Sequence, residues 1–427
     1  MPGAAAVLHR RETRGSDAPL LAALLLLLLI AYGALGRDVF FNHLAHAGAA
    51  EEDPVARALP YLRALVGIAS VAAVLARTGA VALTSPPLRL APFCALALAS
   101  TFWSTDPKGT LRDAGTLAVL WVALPTLAAR LGLAATARVL LNLVAAVLVA
   151  SAALAILAPE IGRHSGDEFI QFSHAGRWRG LFGHKNGLGP WAAVGSVVLF
   201  THPGLLGGPR AWLWLARASA LACLAFAGSA TALVLAGLLG TGWMAARTTG
   251  RLTPGAALAL ALAAALPAAL LLADPLLDRA LDLLGRGATL SGRTEIWALV
   301  LDRLRENPWF GAGYQRFGGA DFLAEAGLRV GQALPGPESG YLALFLDLGL
   351  VGALLLAWPV VAALRDGVAW LEWAGPEDRA ALGPLLMTLA AALAAAVTET
   401  GALVCNGSPG VLFFAALLTL LALPRPT

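Results

Sequence analysis

Two arginines, a histidine, a lysine and an asparagine converge in Arg177–Trp178–Arg179–Gly180–Leu181–Phe182–Gly183–His184–Lys185–Asn186–Gly187–Leu188–Gly189, directly before an apolar run. Arginine stays charged at every relevant pH and grips phosphate oxygens with two prongs, so the cluster suits a diphosphate. The glycines let backbone approach a ligand closely. The same residues could instead hold lipid headgroups beside the membrane, and the residue types leave both readings open. A second candidate is Leu290–Ser291–Gly292–Arg293–Thr294, placed to begin a helix. Free N–H groups at that end attract anions, and Arg293 adds a full charge. A third is Glu338–Ser339–Gly340–Tyr341, at the start of another apolar run. At a boundary Glu338 can simply be hydrated, whereas in a cleft between apolar helices burial would raise its pKa toward that of a useful base.

Several chemistries are excluded. The chain has two lysines, Lys108 and Lys185, and neither stands in a phosphate-binding-loop context. No Asp-x-Asp or His-Glu-x-x-His pattern occurs, so metal–nucleotide-sugar and zinc-hydrolase sites are not expected, and the expected chemistry uses no metal or other cofactor. Every histidine lies at or before His202, so a base in the C-terminal half must be a carboxylate. Cys94, Cys223 and Cys405 sit in or beside apolar runs with no CxxC pair, which argues against a disulfide framework.

The elements that position these residues follow from composition. Of 427 residues 58% are hydrophobic and 13% charged, too few to coat a water-facing surface of this size, and the mean hydropathy is +0.74. Apolar segments of spanning length fall at roughly 18–36, 60–76, 87–102, 114–129, 139–158, 187–201, 211–227, 230–246, 254–273, 338–363, 380–399 and 409–424. The expectation is an all-α polytopic integral membrane protein with about twelve transmembrane helices: spans 1–9 in residues 1–273, a long periplasmic loop over 274–337, and spans 10–12 in 338–427. The first segment follows Arg10, Arg11 and Arg14 without an adjacent small-residue cleavage site, and reads as an uncleaved anchor.

With the N-terminus in the cytoplasm, the cytoplasmic segments hold Arg77, Arg89, Arg130, Arg138, Arg210, Arg247, Arg251, Arg365, Arg379 and Arg425 besides that first cluster. The first two outer loops hold fewer bases: Arg37, Arg57, Arg63, Lys108 and Arg112. The asymmetry favours this orientation and explains the net charge of +4 without nucleic acid. The outer segments 159–186 and 274–337 run against the trend, as they would if they bound an anion. Within the longer one, Trp297, Val300, Leu301 and Leu304 share a helical face, predicting an amphipathic surface helix from near Ser291 or Thr294 to Asn307–Pro308.

Trp103–Ser104–Thr105–Asp106–Pro107 with Leu111–Arg112, then Arg179 to Asn186, then Ser291–Gly292–Arg293 with Trp297, resemble the bacterial O-antigen ligase and polysaccharide polymerase superfamily. Asn307–Pro308–Trp309–Phe310–Gly311–Ala312–Gly313 and Leu348–Gly349–Leu350–Val351–Gly352 continue the resemblance in order. It implies a glycosyltransferase of the bacterial inner membrane that works at the periplasmic face without metal or nucleotide sugar. The donor would be a glycan on undecaprenyl diphosphate and the acceptor a glycan or lipid. Arg179 and Arg293 would hold the diphosphate, with Arg112, Arg177, His184, Lys185 and Asn186 around it. The Gly183–His184–Lys185–Asn186 form is closer to exopolysaccharide polymerases than to lipopolysaccharide ligases. Glu338–Ser339 stands where many members carry His-Asn, which makes Glu338 the expected base. The rivals are a secondary transporter of an anionic solute, which would need mid-span ionisable groups such as Arg217 or Asp347 and paired broken helices, and a protein O-oligosaccharyltransferase.

Overall fold

The computed structural model describes residues 17–34, 54–78, 88–165, 174–249, 291–330, 336–405 and 407–423. These form helices joined by short turns, with one isolated β-bridge between Arg163 and Trp178. In chain order they are α1 (Ala18–Leu29, continued as a π-helical turn Ile30–Ala34), α2 (Pro54–Thr78), α3 (Ala91–Ala99), α4 (Pro107–Leu131), α5 (Leu133–Leu157) and the short α6 (Pro159–Gly162). There follow α7 (Lys185–Thr201), α8 (Arg210–Ala227), α9 (Ala230–Thr249), α10 (Ser291–Glu306), α11 (Ala320–Val330), α12 (Gly340–Trp373), α13 (Pro376–Ala395) and α14 (Ser408–Leu421).

Each apolar segment read from the sequence carries a helix, except 254–273, which lies outside the described residues. By length and composition α4, α5, α13 and Gly340–Leu371 of α12 can cross a membrane, while several others are shorter apolar helices. The result is an all-α membrane protein among the described residues.

The helix ends are set by local chemistry. Asp106 caps α4, its Oδ1 accepting the Gly109 N–H at 3.0 Å, and Pro107 follows where a missing donor costs nothing. Ser339 caps α12. Gly228, in the left-handed region at φ 59°, ends α8. Helix α14 is buried on all sides from Val411 to Leu418, so its uniformly apolar sequence needs no polar face. Around it α7, with Gly187, Gly189 and Gly195, and the alanine-rich α13 beyond its first turn lie mostly inside, small residues letting backbones approach closely.

Two sequence expectations change. Arg57 and Arg63, assigned to an outer loop, lie in α2. Arg63 is buried and its Nε donates to the Ala31 carbonyl at 3.1 Å, within the π-helical turn, where the irregular ladder offers an acceptor. Likewise Lys108 and Arg112 sit in the first turns of α4.

Helix α10 has the predicted bounds, but its buried face is Ile296 and Val300 packed on Leu346, with Trp297 and Leu304 beside them. Leu301 is 51% exposed, because it sits one position round the helix from Val300. Helix α11, which the sequence reading did not anticipate, follows it.

Ion pairs join residues that the charge asymmetry placed on the same side: Arg89 with Asp366 at 2.6 Å and Arg138 with Glu377 at 2.8 Å at one end, Arg316 with Asp106 at 2.6 Å at the other. All three native cysteines are buried, so single engineered cysteines can report sidedness. A cysteine replacing the exposed Asp321 is expected to react with a membrane-impermeant thiol reagent in intact spheroplasts, and one replacing the exposed Glu377 to stay unlabelled. The reverse pattern would invert the orientation.

Candidate functional site

The basic segment before α7 is folded back onto the ends of its neighbours. The His164 and Gly176 N–H groups bond the Arg177 and His164 carbonyls, both at 2.9 Å, closing the loop beside the Arg163–Trp178 bridge. Arg179 N–H and Gly180 N–H both reach the Gly162 carbonyl at 2.9 Å. Gly180 has φ +60° and lies against Ser151, so both its conformation and the available space favour glycine.

The side chains of this segment are committed to particular partners. Arg179 is buried, and its Nε and Nη2 donate to the carbonyls of Ile161 at 2.8 Å and Glu160 at 3.4 Å. Arg177 Nη1 donates to the Gly228 carbonyl at 3.0 Å, at the α8–α9 turn. A carbonyl fixes a guanidinium without neutralising it, so Arg177 keeps its charge available to an anion. His184 caps α7 with Nδ1 accepting the Asn186 N–H at 3.1 Å, and His164 Nε2 accepts the Lys185 N–H at 3.1 Å. Both accepting nitrogens must be unprotonated for this. The rings of His164, His174 and His184 meet edge to face with centroids 5.1–5.8 Å apart. Among the described residues no His, Cys, Asp or Glu group has metal-binding geometry.

Glu338 lies at the same end of the bundle. It is half-buried with φ +53°, a left-handed conformation that costs a non-glycine residue about 1–2 kcal/mol. The flanking backbone holds it there. Gly340 N–H donates to the Ala396 carbonyl at 2.7 Å, and Ser339 Oγ donates to the same carbonyl at 3.2 Å. Thr398, just beyond, shares a 3.0 Å hydrogen bond with Thr231 near the start of α9. A chain of contacts thus joins Glu338, through the end of α13 and the start of α9, to the Gly228 carbonyl that holds Arg177. Arg293 falls in the first turn of α10, and its side chain lies outside the described residues. Arg112 is drawn elsewhere, its Nε 3.2 Å from Asp113.

A second constellation, which the sequence reading did not assemble, explains the remaining motifs. Helix α12 breaks at Gly349, with φ 65° and ψ −164°. The turn 307–319 fills the break. Ala312 and Gly313 donate to the Leu346 and Asp347 carbonyls at 2.8 and 2.9 Å, and Leu350 and Val351 donate to the Pro308 and Trp309 carbonyls at 2.8 and 3.2 Å. A Cβ on Gly349 would collide with the Trp309 backbone.

Asp347, buried inside the bundle, receives three successive N–H groups: Gln315 at 2.8 Å, Arg316 at 2.9 Å and Phe317 at 2.6 Å. Gln315 and Phe317 have φ 59° and 50°, which turns their N–H groups into one concave anion nest. Arg316 then bridges Asp106 and the buried Asp113, its Nε donating to the Tyr314 carbonyl at 3.2 Å. Trp103 Nε1 donates to the Phe310 carbonyl at 3.3 Å, and Thr105 N–H to the Ala312 carbonyl at 3.2 Å. The Trp103–Pro107, Asn307–Gly313 and Leu348–Gly352 motifs are therefore one interlocked structure.

Sequence signals for this clasp were partial. An acid such as Asp347 inside an apolar run marks a site, whereas Arg316 carries no local signal because its partners lie some two hundred residues away.

Residues 213–357 match the family model described as O-antigen ligase (Wzy_C). The match runs from within α8 to within α12, including the Gly349 break and the turn that fills it. Over 108 residues the chain is 34% identical to the O-antigen ligase of Pseudomonas aeruginosa, covering 25% of this chain and 24% of that protein. The chain thus spans about a quarter of the length of the curated relative it matches. Both findings support the O-antigen ligase and polymerase superfamily, as the ordered motifs implied.

The Asp347 nest sets a stability test. In Asp347→Asn one carboxylate oxygen becomes an N–H₂ group facing a buried donor, a cost of about 1–3 kcal/mol. The temperature at which the purified protein loses monodispersity in detergent is expected to fall, and to fall further for Asp347→Ala. Unchanged heat resistance in both would show that the nest contributes little.

Proposed function

We propose that this chain is a membrane glycosyltransferase of the O-antigen ligase or polymerase type, transferring or polymerising a glycan from an undecaprenyl-diphosphate-linked donor at the periplasmic face of the bacterial inner membrane. The superfamily supports a ligase- or polymerase-type membrane enzyme. The observation that carries the finer reading is Glu338, held in a left-handed backbone at the end of the molecule where the basic segment 177–186 folds. Strained non-glycine residues gather where a side chain must be aimed.

In this reading an acceptor hydroxyl oxygen bonds to the anomeric carbon as the bond from that carbon to the diphosphate oxygen breaks. Glu338 takes the hydroxyl proton. The lipid diphosphate leaves with the electron pair, its charge held by Arg179 and Arg293, with Arg177, His184, Lys185 and Asn186 around it. Fixed charges aimed at the leaving group act without reorganising during the reaction. Arg112 belongs to the same expected set, with its Nε 3.2 Å from Asp113 on α4.

The transporter reading loses its main support. The one mid-span acid it relied on, Asp347, is occupied by the chain's own N–H groups, and the helix break beside it is filled by the turn 307–319.

With purified protein and a lipid-linked donor, Glu338→Gln is expected to lower turnover about 100- to 10,000-fold, the usual contribution of a positioned base, while donor lipid still binds. Glu338→His is expected to recover part of the rate, with its pH dependence moved toward the imidazole range. Full activity of Glu338→Gln would remove Glu338 from the mechanism.

Arg179→Lys and Arg293→Lys are each expected to cost about 100- to 1,000-fold. Arg329→Lys serves as control, being an exposed residue paired with Glu325 on α11. Equal mild effects at all three arginines would contradict a role in holding the diphosphate.

A further inference from the structure

At the opposite end of α12 a cleft of about 340 Å³ opens between the turn before α3 and the helix surface, lined by Arg89, Trp358, Val361, Ala362 and Arg365. Trp358, Val361, Ala362 and Arg365 are spaced i, i+3, i+4 and i+7, so they form one stripe along α12. Trp358 is 56% exposed and Val361 62% exposed. On a helix that crosses a membrane, such a stripe faces hydrocarbon.

The stripe ends in charge. Arg89 Nη1 meets Asp366 Oδ2 at 2.6 Å, while Arg365 Nε and Nη2 meet Asp366 Oδ1 at 3.0 and 2.8 Å. One carboxylate thus orients two guanidiniums, and the cluster keeps one net positive charge. Arg89 is buried, and the Arg365 side chain is 72% exposed, so one arginine is fixed and the other reaches outward. At 1.5 Å per residue Arg365 lies about 37 Å along α12 from Gly340, beside Glu338, which exceeds the roughly 30 Å of a hydrocarbon core. The cleft is therefore at the other membrane face from the candidate catalytic residues.

We infer that this cleft binds the phosphodiester headgroup of an anionic glycerophospholipid, with its acyl chain laid along Val361 and Trp358. From Arg365 to Trp358 is about 10 Å along the helix, enough for the phosphate to meet the guanidiniums while the upper methylenes cover the apolar stripe. Basic residues at the end of an apolar stripe suit a lipid whose headgroup is anionic. The net charge selects an anionic lipid over a zwitterionic one, whose own ammonium would approach the arginines. This inference depends on α12 crossing the membrane and not on the transfer reaction.

The test is lipid retention by the full chain, purified in detergent, incubated with mixed micelles of equal phosphatidylglycerol and phosphatidylcholine and analysed by native mass spectrometry. The wild-type protein is expected to retain phosphatidylglycerol preferentially. Arg365→Gln should lower that preference about fivefold, the effect of one basic residue near a lipid surface, and Arg365→Lys should keep it. Arg365→Gln leaves Arg89 on Asp366, so an unchanged elution profile is expected to accompany the loss. Trp358→Ala should reduce retention of both lipids. Equal retention of the two lipids by the wild-type protein, or an undiminished preference in Arg365→Gln, would overturn the assignment. Displacement of the lipid by millimolar inorganic phosphate would mark a water-facing anion site and overturn it as well.

Discussion

A carboxylate inside a bundle of apolar helices must be met by donors, and Asp347 is met by three consecutive backbone N–H groups of the Gln315–Phe317 turn. That requirement shapes much of the end of the molecule where α4 begins. To reach Asp347, the turn must adopt left-handed geometry at Gln315 and Phe317 and enter the space beside α12. Entering it, the turn replaces the intrahelical bonds lost at Gly349 with its own. Arg316, carried in the middle of the nest, is thereby delivered to Asp106 and Asp113 on α4. Three segments far apart in sequence are locked around one buried side chain.

This arrangement changes the meaning of the motifs by which the superfamily is recognised. Trp103, Thr105, Asp106, Asn307, Gly311, Gly313 and Gly349 are spent on joining α4, the turn and α12. They build the frame, whereas the residues proposed for chemistry take no part in it: Arg177 and Arg179 on the loop before α7, and Glu338 at the head of α12. The two arginines are held by other carbonyls, those of α6 and of the α8–α9 turn, so their positions are set by the fold itself.

How much was legible follows from how local each signal is. The order of the helices and the bounds of α10 were readable, because hydrophobic runs, a cap and Asn307–Pro308 speak within a few residues. The break at Gly349 was not, since the apolar run continues on both sides of Asp347–Leu348–Gly349 and only the docking of the turn from residue 307 onward interrupts the helix. From sequence the buried Arg63 reads as a loop residue, because its acceptor, the Ala31 carbonyl, lies in an irregular helical turn that local sequence does not announce. For the same reason Arg316 and Asp113 stayed apart until the fold joined them. At the candidate site the residue types and their clustering were legible in Arg177 to Asn186, while the backbone carbonyls that orient them were not.

The broken helix also constrains how the molecule is assembled. The N–H groups of Leu350 and Val351 are bonded by carbonyls from a segment made earlier in synthesis, so α12 cannot finish its own hydrogen bonding as an autonomous rod. Until the turn docks, those groups would face hydrocarbon without an acceptor, a state that lipid strongly disfavours. Membrane insertion of α12 and tertiary closure of the preceding loop are thus one event. The stretch between Pro308 and Gly319 has in consequence a fixed length, and an added or deleted residue there would shift the bonds on both sides of Gly349 out of register.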